Sequence, residues 1–262
     1  MRDMKRSLVV VLVMAAAVSI SAQSGPESPA PRYEVKSYHT TGLLTEGKYD
    51  LFVSAKYRKG TPAPLIVALH GNGSNPYEVM HYQGLIDLAD ERGYLLAAPM
   101  GFNDHGGYGM RRTAPDDPDE PPNLGELSEL DVMNVLEAVR KEYTVDPQRI
   151  YLMGHSMGGG GTWYLGMKYP DIWAALAPAS PSTPFSRERL AQIRQMPVIV
   201  VQGDSDPLIK VENTRMWVAK MKELGMRYEY IEVPFGGHTD VIMRSPENLK
   251  KIVDFFDKAR KK

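Results

Sequence analysis

Along this chain, short runs of uninterrupted apolar residues alternate with longer segments whose apolar positions recur at helical spacing. Residues 64–69, 94–98, 150–153, 174–177 and 198–201 carry no charged side chain, the pattern of strands buried on both faces. Residues 34–37, 48–57 and 228–233 read as further strands, the second alternating in part. Between them, residues 77–91, 127–143, 187–195, 211–224 and 247–260 read as helices. The clearest is 127–143, where Leu130, Val132, Met133, Val135, Leu136 and Val139 mark the buried side. Alternating strands and helices predict an α/β fold: a mostly parallel central sheet flanked by helices on both faces. In such sheets reactive groups gather just beyond the carboxyl ends of strands, so candidate chemistry is sought there.

One stretch meets that condition best. Residues 149–162 read Arg-Ile-Tyr-Leu-Met-Gly-His-Ser-Met-Gly-Gly-Gly-Gly-Thr. A short apolar strand runs into Gly154-His155-Ser156-Met157-Gly158, a G-x-S-x-G pattern, and then into the helix-compatible Trp163, Tyr164, Leu165 and Met167. Strand, turn and helix in that order make a nucleophile elbow, with the serine on a sharp strained turn at a helix N-terminus. Free backbone N–H groups and the helix dipole there favour developing negative charge. Glycine inside a helix costs about 1 kcal/mol relative to alanine, so four in a row at residues 158–161 imply close packing or a special turn.

An activated serine needs a base, and the base needs an acid to orient it. Of the six histidines, His238 stands in Gly236-Gly237-His238, directly after a strand and before the last helix. His155 neighbours Ser156 in sequence, but adjacent residues on a turn point apart; His70 follows a strand but precedes the nucleophile. The acid is sought in Gly203-Asp204-Ser205-Asp206-Pro207, after the 198–201 strand, with Asp206 preferred and Asp204 read as a turn residue. Two backbone donors would hold an oxyanion: the N–H of Met157, and one from the His70-Gly71-Asn72-Gly73 turn, assigned to Asn72 with Gly73 close behind.

The chain has 262 residues, 43% of them hydrophobic and 24% charged, with a formal net charge of -1. That length supports one large core, and the near-neutral balance argues against a nucleic-acid binder. Arg2, Lys5 and Arg6 precede an apolar run over residues 8–20 and the small residues Ser19, Ser21 and Ala22, the pattern of a secretory signal peptide over residues 1–22. The run is too short to span a bilayer. A Pro- and Ser-rich lead-in, residues 23–32, then precedes a catalytic domain over residues 33–262. Export to the periplasm or beyond is expected, with no stable membrane association afterwards. Without cysteine the exported domain relies on its core alone.

Residues 102–123 form the longest irregular stretch, expected to lie over or beside the site, with Tyr108 and Met110 as candidate substrate contacts. Its acidic run through Asp116, Asp117, Asp119 and Glu120 reads as a solvated loop rather than a calcium site, and Arg111 and Arg112 as partners of those acids. No large insertion separates Thr183 from Pro197, which argues against a lidded long-chain lipase.

Together Leu69-His70-Gly71-Asn72-Gly73, the elbow, Gly203-Asp204-Ser205-Asp206 and Gly236-Gly237-His238 resemble the α/β-hydrolase superfamily. The single-domain arrangement, with Val145-Asp146-Pro147-Gln148-Arg149-Ile150-Tyr151 before the elbow, is similar to secreted esterases of the polyhydroxybutyrate depolymerase and feruloyl esterase group. The elbow also looks like that of cutinase-like polyester hydrolases, although the cysteine pair near their C-terminus is missing and His70-Gly71 replaces their oxyanion loop. The resemblance implies a serine esterase acting on small-molecule or polymeric esters through Ser156, His238 and Asp206, with no metal or cofactor. The alternatives are a prolyl-oligopeptidase-like serine peptidase and a non-catalytic ligand-binding module on the same scaffold.

Overall fold

A computed structural model describes residues 32–39, 46–110 and 120–261. The expected signal peptide and lead-in therefore lie, but for Arg32, outside the described residues, as do Arg111, Arg112, Asp116, Asp117 and Asp119. Strands β1 (Glu34–Tyr38) and β2 (Gly47–Val53) are followed by β3 (Ala63–Leu69), α1 (Pro76–Met80), α2 (Leu85–Arg92) and β4 (Leu95–Pro99). Then come α3 (Leu124–Glu142), β5 (Val145–His155), α4 (Met157–Lys168), β6 (Ala175–Ala179), β7 (Val198–Gly203), α5 (Val211–Glu223), β8 (Tyr228–Val233) and α6 (Pro246–Asp257).

The strands form one eight-stranded sheet in the order β1-β2-β4-β3-β5-β6-β7-β8. β1 and β2 enter antiparallel, and every pairing from β4 to β8 is parallel. Period-two alternation sorts the strand residues into two layers. Leu65, Val67 and Leu69 of β3 face one core with Val132 and Val139 of α3, Trp163 of α4 and Trp217 of α5. Ile66 and Ala68 face the other, with Val79 of α1, Leu85 of α2 and Ile252 and Phe256 of α6. At roughly 1.5–3 kcal/mol per fully buried large apolar side chain, these layers supply most of the driving force for folding. The chain moves outward from β3 to β4, then crosses back through α3 to β5 on the other side. The loops after β3 and β5 therefore open a crevice at this reversal of strand order.

Three elements differ from the sequence reading. The helix expected over residues 77–91 is two helices: α1 ends at Met80, and α2 starts after Gly84, whose φ of 85° is non-helical and where an added Cβ would lie 3.3 Å from Pro246 Cβ of α6. The strand expected over residues 48–57 stops at Val53, where a turn closes with Tyr57 N–H donating to Ser54 O. Residues 187–195 form a 3₁₀ turn (Arg187–Ile193) rather than an α-helix.

Candidate active site

Ser156 sits between β5 and α4 with φ 57° and ψ -113°, a backbone conformation uncommon for a residue bearing a side chain. It is held there from both sides: its N–H donates to Ala179 O at 2.9 Å, and its carbonyl accepts from Ser182 N–H at 3.1 Å and Gly160 N–H at 3.0 Å. The glycines that follow are explained by contact. A methyl on Gly158 would collide with the Leu69 carbonyl of β3, and one on Gly161 would lie 2.7 Å from the Tyr108 ring.

Backbone strain gathers along this edge of the sheet. Among the described residues five non-glycine positions have positive φ: Phe102, Tyr108, Ser156, Ser180 and Phe235. Phe102, Ser156, Ser180 and Phe235 each follow a strand end, of β4, β5, β6 and β8 respectively. Such strain persists where the surroundings over-determine it, and it concentrates at functional sites.

The β7 and β8 loops bring Asp206 and His238 together, with His238 Nδ1 2.8 Å from Asp206 Oδ2. Asp206 Oδ1 accepts the N–H groups of Leu208 and Ile209, both at 2.9 Å, and Gln202 Nε2 donates to Oδ2 at 3.2 Å. Burial alone would push this carboxyl up; the Ile209 N–H, the His238 ring and the Leu208 N–H outweigh it and hold the carboxyl below its ordinary value. Asp206 is therefore ionised at neutral pH, as a partner that orients an imidazole must be. Asp204 is a turn residue: its Oδ1 accepts Phe235 N–H at 2.7 Å and the Ser205 hydroxyl at 2.9 Å. Among the described residues no hydrogen bond joins Ser156 Oγ to His238, whose Nε2 is left free by the Nδ1 contact.

His155 links the two halves. It is 4% exposed; its ring lies 4.7 Å from that of His238, and its Nε2 meets the His238 carbonyl at 2.8 Å. Burial drives its pKa down to about 4, so at neutral pH it is an uncharged donor. The sequence pattern alone misses this residue, because its partner stands 83 positions away.

The turn after β3 lies against the serine. A Cβ on Gly71 would sit 3.5 Å from Ser156 Cβ. The Gly73 N–H is already bonded to Asp104 O at 2.8 Å, which removes it as an oxyanion donor. The N–H groups of Asn72 and Met157 have no acceptor among the described residues. His70, fully buried, staples this turn through Nδ1 to Gly71 O and Nε2 to Met100 O, each at 2.8 Å. His105, between Asp104 and Glu120, anchors the neighbouring loop.

Tyr108 is not a mouth residue. It is fully buried, its hydroxyl donates to His70 O at 3.2 Å, and its ring packs edge-on to His70. The expectation that it contacts substrate is corrected: glycines on both sides let the loop fold inward, and the ring fills the space they leave. Met110 is half-buried and lines a cavity of about 300 Å³ with Tyr164, Pro184, Phe185 and Arg189. No group of three or more His, Cys, Asp or Glu among the described residues is placed to hold a metal ion.

Fold and site geometry together define an α/β-hydrolase. The chain belongs to the PETase family, described as PET hydrolase-like, whose profile matches residues 113–255. That segment carries Ser156, Asp206 and His238 but begins after His70-Gly71, so the departure from polyester hydrolases noted in the β3 turn lies outside it. The chain is 26% identical over 174 residues to the bifunctional acetylxylan esterase/xylanase XynS20E of Neocallimastix patriciarum, covering 66% of this chain and 24% of that protein. It is 36% identical over 67 residues to cutinase 2 of Thermobifida cellulosilytica, covering 26% of this chain and 24% of that one. The chain thus spans about a quarter of the fungal relative. A thermostable esterase superposes with a TM-score of 0.70 at 23% identity, over 88% of this chain and 64% of the esterase. No helix among the described residues is long and apolar enough to cross a membrane.

Proposed function

We propose that this protein is a serine hydrolase of carboxylic esters, acting through an acyl-enzyme. The observation that carries the reading is the His238–Asp206 contact at 2.8 Å beside a strained Ser156 at a helix N-terminus. In this reading Ser156 Oγ attacks the ester carbonyl carbon while His238 Nε2 takes its proton, and Asp206 stabilises the imidazolium that forms. The oxyanion is held by the Met157 and Asn72 N–H groups, both without competing acceptors among the described residues. His238 returns the proton to the alkoxide, the alcohol leaves, and water activated by His238 releases the acid.

Short-acyl, aryl or polyester-type esters are the proposed substrates, supported by the family match and by a β6–β7 connection that carries a 3₁₀ turn and no large insertion. Export is proposed on the basic start and apolar run of residues 1–22; N-terminal sequencing of the mature protein should begin at Gln23. The activity test is a panel of p-nitrophenyl esters of increasing acyl length beside peptide p-nitroanilides. Ester turnover falling with acyl length supports the esterase. Faster anilide turnover would move the chain to the peptidases, and no turnover of either would favour a binding module.

A further inference from the structure

Phe235 is 91% exposed, the most exposed of the large hydrophobic residues among the described residues. It also has a φ of 56°. In Val233-Pro234-Phe235-Gly236 the Gly236 N–H donates to Val233 O at 3.1 Å, closing a tight turn in which Phe235 occupies the position that ordinarily takes glycine or asparagine. The other four strained non-glycine residues are buried or half-buried, so packing holds them in place. Packing against the protein does not account for the ring of Phe235, and its backbone would be at ease with glycine.

Its placement is specific. Phe235 stands three residues before His238, and its N–H is held by Asp204. Ser205 N–H also donates to Gly236 O at 3.1 Å, locking this turn to the loop that carries Asp206. On that loop Leu208, 69% exposed, is a second bare apolar side chain. Both protrude from loops at the carboxyl edge of the sheet, and neither lines a described cavity. Protruding side chains suit a flat apolar surface, whereas a soluble ligand is enclosed by a pocket.

We propose that the Phe235 apex, with Leu208 on the loop bonded to it, is the contact by which the enzyme settles on the surface of a water-insoluble polyester, next to the candidate triad. This rests on the esterase reading for its choice of partner. Adsorption is therefore measured on a Ser156→Ala background, where turnover plays no part, and hydrolysis of soluble esters by the wild type judges the esterase reading separately.

The experiment is a depletion isotherm on amorphous poly(ethylene terephthalate) nanoparticles. It compares Ser156→Ala with the same protein carrying Phe235→Asn or Phe235→Leu. Asparagine accepts the left-handed backbone and so keeps the turn; leucine keeps an apolar tip. Asparagine is expected to weaken adsorption about ten-fold, the effect of withdrawing one partly buried ring, and leucine by less than about three-fold. Unchanged thermal melting establishes that each variant is folded. Equal adsorption by the asparagine variant and its parent would overturn the proposal. So would Phe235-dependent binding to phosphatidylcholine vesicles matching that to the particles, or a Phe235-dependent dimer in sedimentation equilibrium.

Discussion

Replacing His155 by phenylalanine keeps a ring of similar size but removes the donor that holds the His238 carbonyl at 2.8 Å. Two effects follow. First, burial holds the folded pKa of His155 at about 4, against an ordinary value of 6.5. As pH falls below 6.5 the unfolded chain takes up this proton before the folded one, so the wild type loses stability with acidification, and the loss levels off near pH 4. Between pH 7.5 and 5.0 the loss from this group is about 2 kcal/mol. His155→Phe should be about 1 kcal/mol less stable at pH 7.5, from the missing hydrogen bond, yet lose about 2 kcal/mol less on moving to pH 5.0. Urea unfolding at the two pH values reads both quantities. Second, the base loses an anchor, so kcat should fall about ten-fold with KM changed less than about two-fold. Parallel pH dependence of stability in the two proteins would refute the neutral buried donor. An unchanged kcat would refute the positioning role.

The two aspartates separate cleanly: Asp206→Asn should lower kcat by about 10⁴ through loss of the orienting carboxylate. Asp204→Asn should lower it by less than about ten-fold while costing about 1 kcal/mol in chemical unfolding. Gly158→Ala drives a methyl into the Leu69 carbonyl, and with both groups on packed backbone it should cost about 3 kcal/mol or yield little soluble protein. Tyr108→Phe deletes the bond to His70 O, lowering Tm by about 2–4 °C in a scanning melt while leaving the acyl-length profile unchanged.

What the sequence makes legible here is what local pattern encodes. The apolar runs of β3, β5 and β7 are buried on both faces and read as such, and the turns behind β5, β7 and β8 carry the chemistry-bearing residues within a few positions of each strand end. What stays hidden depends on distant packing. His155 has its partner 83 residues away. Tyr108 lies in a polar, glycine-rich stretch that reads as a mouth loop, but the neighbouring glycines admit its ring to the core. Gly73 looks like a free donor until the loop bearing Asp104 is folded against it. The gap between α1 and α2 includes Gly84, whose left-handed φ and close approach by Pro246, 162 positions away, helical periodicity cannot register.

Acylation of Ser156 can be seen in rapid-mixing hydrolysis of p-nitrophenyl acetate. A burst of p-nitrophenolate of about one equivalent per enzyme is expected, followed by slower turnover, with both phases absent in Ser156→Ala. A burst of equal size in Ser156→Ala, or steady hydrolysis unaffected by the substitution, would place the nucleophile elsewhere.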